Sequence, residues 1–220
     1  MIITKQKKAE DIMKCLEKVE RVFIIGCTQC ATVCKTGGED EVRKMKDFLE
    51  ANGKKVAAAE VWDTPCNLLE VRKRARDSKD ELSGSQVLLL MSCGDGAHTV
   101  SLGTGMSVVP ANDTLFLGQS ERAGKFNEVC ALCGDCTLFV TGGYCPNALC
   151  PKGLQNGPCG GVKDGKCEVS PEIDCGWLLI YNRLRDTGNL DKMKKVLPPK
   201  DHSKSVRPRK ITVDAVRKRQ

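Results

Sequence analysis

The sequence predicts an α/β protein in two parts. The first is a small parallel-sheet domain of the Rossmann or flavodoxin type, and the second is a cysteine-rich metal-binding module with a C-terminal helix. Short apolar segments alternate with amphipathic helical segments in the first half, which is typical of a parallel sheet. Eight of the fourteen cysteines then fall within 46 residues. We therefore predict a domain at residues 1–120, a module at 121–189 and a basic tail at 190–220.

The first strand–loop–helix unit follows a predicted amphipathic helix at residues 8–20. Residues 21–26 form an apolar, β-branched segment that ends in glycine, which indicates a buried strand. After a loop rich in cysteine and glycine, a helix begins near Glu39 and ends at Asn52. Acidic residues in its first turn suit the positive end of the helix dipole.

The same unit then repeats along the chain. We predict a strand at Lys55–Trp62, a helix at Asn67–Lys79 and a strongly apolar strand at Gln86–Met91. A fourth, short strand is predicted at Thr114–Leu117. The polar residues after Gly118 are interpreted as a linker into the module.

Cysteines follow three of these strands: Cys27, Cys30, Cys34, Cys66 and Cys93. Loops that follow parallel strands emerge at the carboxyl edge of the sheet, where open α/β sheets bind ligands. A cysteine triplet with one distant cysteine is a common way to hold a [4Fe–4S] cluster. We expect Cys27, Cys30, Cys34 and Cys93 to be the ligands, with Cys66 as the rival fourth ligand. A four-thiolate zinc site or an unmetallated redox pair remains an alternative.

The module carries the other close cysteine cluster: Cys130, Cys133, Cys136, Cys145, Cys150, Cys159, Cys167 and Cys175. Eight thiolates suffice for two four-cysteine sites. The C-x2-C-x2-C spacing at residues 130–136 suits one corner of a [4Fe–4S] cluster, whose fourth ligand would be Cys145, Cys150 or a later cysteine. The remaining cysteines could hold structural zinc or a second cluster. Zinc in both sites is the alternative.

Composition excludes several other classes of protein. The tail from Leu190 to Gln220 holds 11 Lys/Arg against 3 Asp/Glu, so the net charge of +7 lies there and the rest is near neutral. With few aromatic residues and no basic–aromatic interleaving, we expect no nucleic-acid partner. The glycine pattern of a dinucleotide site is missing after the first strand. No apolar run is long enough for membrane insertion, and we expect a cytoplasmic protein, where disulfides are disfavoured.

Three features outside the two cysteine clusters allow alternative interpretations. Residues Gly176–Arg185 are predicted as a helix whose apolar face packs on the sheet domain or docks a partner subunit. The basic tail is either an arm that wraps a partner or a solvated segment. The isolated Cys15 is interpreted as a buried or half-buried thiol without a metal role.

The run CALCGDC…TGGYCPNALCPKGLQNGPCGG…GKCEV…DCGWLLIYNRL resembles the cysteine-rich module of MetV proteins. These are the small subunits of MetVF-type methylenetetrahydrofolate reductases in acetogenic bacteria, and the module is also found as a C-terminal domain of fused reductases. The segments GCTQCATVCKTGGEDEV, SCGDGAHTV and DTLFLG extend the resemblance over nearly the whole chain.

The resemblance implies an electron-transfer role within an oxidoreductase complex, without a complete active site in this chain. FMN would lie in a MetF-like catalytic partner subunit with a TIM-barrel fold, not in this chain. Electrons from ferredoxin or another donor subunit would pass through [4Fe–4S] clusters to that FMN. The partner would then reduce methylenetetrahydrofolate to methyltetrahydrofolate in the Wood–Ljungdahl methyl branch. A zinc-stabilised structural subunit without a redox role is the alternative.

Overall fold

The structure is a computed structural model that describes residues 1–212. It divides into two compact units, Met1–Asn127 and Glu128–Gln220. Within the described part of the chain, no helix is both long and apolar enough to cross a membrane. The end of the predicted basic tail, residues 213–220, lies outside the described residues.

The first unit is built on a four-stranded parallel sheet, which confirms the predicted α/β class. In spatial order its strands are β3 (Lys55–Trp62), β2 (Arg21–Cys27), β4 (Val87–Leu90) and β5 (Val108–Pro110). The chain therefore leaves β2 toward β3 on one side and later returns to β4 on the other side. This order creates a topological switch point between β2 and β4.

Helices cover both faces of this sheet because its central strands are apolar on both sides. In β2, Val22 and Ile24 lie in one buried cluster, whereas Phe23 and Ile25 lie in the other. The helices are α1 (Ala9–Cys15), α2 (Cys30–Val33), α3 (Glu39–Ala51), α4 (Leu68–Asp77), α5 (Lys79–Ser83) and α6 (Gly94–Thr104). The first cluster packs under α1 and α3, and the second packs under α4, α5 and α6.

The predicted fourth strand at Thr114–Leu117 is wrong as a member of the parallel sheet. Val108–Pro110 takes that position, and its three residues and terminal proline gave no clear strand pattern. Residues 114–117 belong instead to the long strand β6 (Asn112–Arg122), which pairs antiparallel with β1 (Ile2–Gln6).

The predicted linker after Gly118 is also wrong. These residues instead form the end of β6, a turn and the strand β7 (Lys125–Glu128), which lies next to β6 in the same three-stranded sheet. Gly124 in the turn between them has φ +77°, a left-handed conformation that glycine adopts without strain.

The second unit contains little regular structure. It comprises α7 (Pro146–Leu149), β8 (Lys166–Cys167), β9 (Ser170–Asp174), α8 (Gly176–Asp186) and two 3-10 turns at Leu190–Lys194 and His202–Ser205. The predicted helix at 176–185 is confirmed as α8. Its apolar face packs within this unit, where Trp177, Ile180 and Leu184 are buried against Leu154 and Met193.

Candidate metal centres

Two predicted ligands of the first unit lie beside the topological switch point of the sheet. Cys27 is the last residue of β2, and Cys93 follows β4 and caps the N-terminus of α6. Since β2 and β4 are neighbours, their carboxyl ends place both cysteines at the same edge. The backbone positions of Cys27 and Cys93 agree with the expectation that these cysteines lie at the carboxyl edge of the sheet.

Cys66 joins this edge from the loop between β3 and α4. A Cβ built on Gly96 would lie 3.4 Å from the Pro65 Cγ, so the Cys66 loop packs against the first turn of α6. Partial burial raises the pKa of the Cys66 thiol, and the charge of Asp95 adds to the rise. The negative charges of Cys93 and Cys30 raise it further. Cys66 is therefore within electrostatic range of both thiols.

Cys27 belongs to the same group of thiols. Burial raises the pKa of its thiol, because the residue is only 7% exposed. Hydrogen bonds with the backbone of Gln29 and Ala31 oppose that rise, whereas the charges of Cys93 and Cys30 add to it. Amide groups directed at sulfur stabilise a thiolate or a metal-bound sulfur. The members of this group, which we name the edge thiols, are Cys27, Cys30, Cys66 and Cys93.

Cys34, one of the predicted ligands, faces β1. Its Sγ lies 3.8 Å from the Ile2 carbonyl oxygen, while the Ile2 amide donates to the Cys30 Sγ at 3.4 Å. The thiol charges that act on Cys27 and Cys66 come from Cys30 and Cys93. The structure thus groups Cys66 with three predicted ligands, while Cys34 lies one helical turn after Cys30 and contacts the same residue, Ile2.

A buried amide connects the loops that follow β2 and β4, which carry three of the four edge thiols. The Asn112 Nδ2 donates to the Thr36 carbonyl oxygen and to the Ser92 carbonyl oxygen, each at 3.2 Å. Asn112 is 4% exposed, and its Oδ1 has no hydrogen-bond partner among residues 1–212. The loop after β2 also meets β4 directly, because a Cβ on Gly37 would lie 1.7 Å from the Met91 carbonyl oxygen. Sequence reasoning missed Asn112 because no local pattern distinguishes it.

In the second unit, cysteines lie at the ends of its two helices. Cys145 precedes α7, Cys150 follows it, and Cys175 precedes α8. The start of α8 packs closely on the end of α7, since a Cβ on Gly176 would lie 2.7 Å from the Leu149 Cβ. Cys150 and Cys175 both contact the buried cluster around Trp177. This packing brings two cysteines 25 positions apart to one place in the unit.

The triplet loop, residues 130–136, lies beside α7. The pKa of the Cys133 thiol is lowered, chiefly by a backbone hydrogen bond with Asp135, although partial burial opposes the shift. The Lys200 ammonium lowers it further, and so does a hydrogen bond from the Asn147 side chain. Asn147 lies within α7, between Cys145 and Cys150. The triplet loop is therefore coupled to the helix that carries the next two cysteines.

Further amides donate to sulfur in this unit. The Leu132 amide donates to the Cys130 Sγ at 3.4 Å, and the Gly161 amide donates to the Cys159 Sγ at 3.5 Å. Such hydrogen bonds stabilise negative charge on sulfur and raise the reduction potential of a bound cluster. Cys136, Cys159 and Cys130 are exposed, and Cys167 is half-buried in β8.

The chemistry of these donors fits a thiolate-bound metal. All fourteen cysteines are free thiols, and amides are directed at several of the sulfurs. Across residues 1–212, no three His, Cys, Asp or Glu side chains stand in the geometry of an assembled metal site. Binding would therefore require the thiols to turn toward a shared centre. Cys15 was expected to be at least half-buried, but it is exposed at the end of α1.

A known protein family matches part of the chain, from the last strands of the first unit into the second unit. Residues 109–203, which include all eight cysteines of the module, match the family described as "Methylene-tetrahydrofolate reductase C terminal". No curated protein matches the chain. The match covers less than half of the chain and does not distinguish MetV from other reductases, so that narrower assignment stays a prediction. The chain thus contains a segment related to methylenetetrahydrofolate reductases, which indicates an oxidoreductase-associated protein.

Proposed function

We propose that this chain is the electron-transfer subunit of a methylenetetrahydrofolate reductase. The observation that carries the proposal is the grouping of the edge thiols at the switch point of the parallel sheet. The eight cysteines of the module lie in the segment that matches the reductase family. Open α/β sheets bind their ligands at this edge. Thiols grouped there suit a metal centre better than a substrate site.

In the first unit we propose the edge thiols as ligands of a [4Fe–4S] cluster. We propose Cys66 for the fourth position in preference to Cys34, because the Cys66 loop packs against the first turn of α6, next to Cys93. The loops that carry Cys27 and Cys93 are joined to each other through the hydrogen bonds of Asn112. The protein would thus hold its ligands in place with little rearrangement when the charge of the centre changes.

In the second unit we propose that Cys130, Cys133 and Cys136 bind a second cluster with a fourth ligand from α7. The coupling of Cys133 to Asn147 supports an α7 cysteine, and Cys145 is the candidate at its N-terminus. Cys150, Cys159, Cys167 and Cys175 are then left for a further cluster or for zinc.

A bound [4Fe–4S] cluster supplies one-electron transfer. The chain's own residues contribute sulfur ligands, amides directed at those sulfurs, and a scaffold that keeps the ligands fixed. The proposed donor is ferredoxin or another electron-donor subunit, and the proposed acceptor is FMN in a MetF-like TIM-barrel partner. That partner would reduce methylenetetrahydrofolate to methyltetrahydrofolate, as in the Wood–Ljungdahl methyl branch.

A zinc-stabilised structural subunit is the second candidate, favoured by one observation. The second unit has a buried cluster of only three apolar side chains among its described residues, which is small for an independent fold. Structural zinc commonly supplies the missing stability in such units. Under this candidate the chain would order its partner without transferring electrons.

Metal analysis and EPR on anaerobically purified full chain, co-expressed with the partner, test the proposal. We expect brown protein with a reduced-cluster EPR signal. Cys30→Ala and Cys133→Ala should each lose about four irons per chain, the content of one cluster, and slow ferredoxin-linked turnover. Cys15→Ala is the matched control, because Cys15 is exposed and lies outside both cysteine groups. Colourless protein containing only zinc would support the structural candidate instead.

The choice between Cys66 and Cys34 is tested in the same way. Cys66→Ala should lose the iron of the first unit, whereas Cys34→Ala should retain it. The reverse result would restore the ligand set that the sequence predicts and would leave the electron-transfer role intact.

A further inference from the structure

The described part of the basic tail contacts the cysteine module. The Asn156 Nδ2 donates to the Leu197 carbonyl oxygen at 2.9 Å, and the Leu197 amide donates to the Asn156 Oδ1 at 2.8 Å. Nearer its start, the Lys192 ammonium donates to the Phe139 carbonyl oxygen at 3.1 Å and lies 4.4 Å from the centre of that ring. Residues 190–209, which we name the strap, are thus bound to the cysteine module at several points.

The far end of the strap contacts the triplet loop. The Lys200 ammonium donates to the Cys133 Sγ at 3.4 Å and also to the Asp135 carbonyl oxygen. The Arg209 guanidinium donates to the Leu132 carbonyl oxygen at 3.1 Å. Gly134 has φ +74°, and a Cβ there would lie 2.9 Å from the Lys204 carbonyl oxygen, so the close approach depends on glycine. Neither interpretation of the tail made from the sequence described this contact.

The two carboxylates near Lys200 are each bound directly by another residue. The Asp135 carboxylate pairs with Lys204 at 2.9 Å. The Asp201 carboxylate accepts hydrogen bonds from Ser203. Within residues 1–212, the Lys200 ammonium forms no direct ion pair with a carboxylate. Its charge acts on the Asp135 carboxylate at longer range, and its hydrogen bond goes to the Cys133 sulfur.

We propose that Lys200 is a positioning residue that tunes the metal centre of the triplet loop through its hydrogen bond to the Cys133 sulfur. The inference rests on the proposed electron-transfer function. Reduction adds one negative charge to a thiolate-bound cluster, and a cation or hydrogen-bond donor at sulfur stabilises that added charge. Lys200 therefore raises the reduction potential of this centre and favours its acceptance of an electron from the donor.

The test compares three variants of the full chain, each purified anaerobically with its metal. Lys200→Gln removes the charge at Cys133. Lys210→Gln is the matched control, because Lys210 lies in the same basic tail and is exposed. Lys200→Arg keeps a cation and a donor at the site. A Cys30→Ala background removes the first centre, so that only the second unit contributes to the EPR signal.

EPR-monitored redox titration is the principal measurement. We expect Lys200→Gln to reduce the equilibrium constant for one-electron reduction about tenfold, which lowers the midpoint potential by about 59 mV. Lys210→Gln should leave the potential near the wild-type value, and Lys200→Arg should recover most of the loss. Equal shifts in Lys200→Gln and Lys210→Gln, or no shift in either, would overturn the role of Lys200.

A second measurement separates this inference from the proposed function. If the module contains zinc alone and no cluster signal, electron transfer by this unit is overturned. The rate of zinc release to a coloured chelator then tests Lys200 by itself. Release from Lys200→Gln severalfold faster than from Lys210→Gln would support a role for Lys200 at Cys133, whereas equal rates would refute it.

Discussion

The two units differ in the size of the hydrophobic core that supports their cysteines. In the first, apolar side chains fill clusters on both faces of a parallel sheet, and Phe23, Ile24 and Ile25 are fully buried in one strand. In the second, the buried cluster among the described residues contains three apolar side chains, those of Trp177, Ile180 and Leu184. From this comparison we expect the fold to position the thiols in the first unit, and metal ligation by thiols to stabilise the fold in the second.

The largest expected difference between the two units is in their hydrogen-exchange protection after metal is removed. In metal-free full chain, we expect amides of α8 to lose hydrogen-exchange protection about a hundredfold or more, because metal binding in small modules supplies most of the folding free energy. Amides of β2 and β4 should keep their protection, since their core does not depend on metal. Hydrogen exchange with mass spectrometry measures both units in one sample.

Reloading the metal is the control for this experiment, and it should restore protection in α8. Equal loss of protection in β2 and α8 would contradict the comparison, because it would mean that the sheet also needs its metal. Full protection of α8 in metal-free protein would also contradict it, because the second unit would then fold without metal.

A smaller effect is expected from the amide that joins the loops of the first unit. Asn112→Ala leaves the buried carbonyl oxygens of Thr36 and Ser92 without their donor. We expect the free energy of unfolding of the first unit to fall by about 1–3 kcal/mol. Exchange of β2 amides in metal-free protein reports this change. Asn127→Ala is the control, because Asn127 donates only to the exposed Glu121 side chain; a loss no larger than in that control would count against the role of Asn112.

The sequence predicted the parallel sheet because its signals are local. The strands β2, β3 and β4 and the helix α8 appear as apolar runs or stripes bounded by glycine or polar residues, and the structure places them within a few residues of the prediction. The antiparallel sheet was not predicted, because β1 pairs with β6 more than a hundred positions away. The short strand β5 has too few residues to show a pattern.

For the sites, residue type carried most of the information. Cysteines that follow strands were expected at one edge, and the backbone places Cys27 and Cys93 there. What surrounds a thiol depends on contacts between distant segments, which spacing does not encode. Lys200 reaches Cys133 across 67 positions, and Asn112 reaches Thr36 across 76.

The smallest predicted effect concerns one charge at the edge of the first unit. The Asp95 carboxylate helps to raise the pKa of the Cys66 thiol, so Asp95→Asn should lower that pKa toward its ordinary value. The thiolate fraction at about pH 7.5 then rises, and alkylation of Cys66 in metal-free protein should accelerate about threefold, as expected for an exposed charge pair. Above the pKa of both proteins the difference should disappear, because Cys66 is then fully ionised in each.

Peptide mass spectrometry after timed iodoacetamide treatment gives the rate for Cys66 alone. Asp77→Asn provides a control, since it removes an exposed charge at the far end of α4. Slower alkylation in Asp95→Asn, or an equal change in both variants, would place Asp95 outside electrostatic range of Cys66. The difference is expected only if the first unit remains folded without metal. A pH-dependent difference that is specific to Asp95→Asn would therefore also support the view that the fold, and not a bound metal, positions the thiols of this unit.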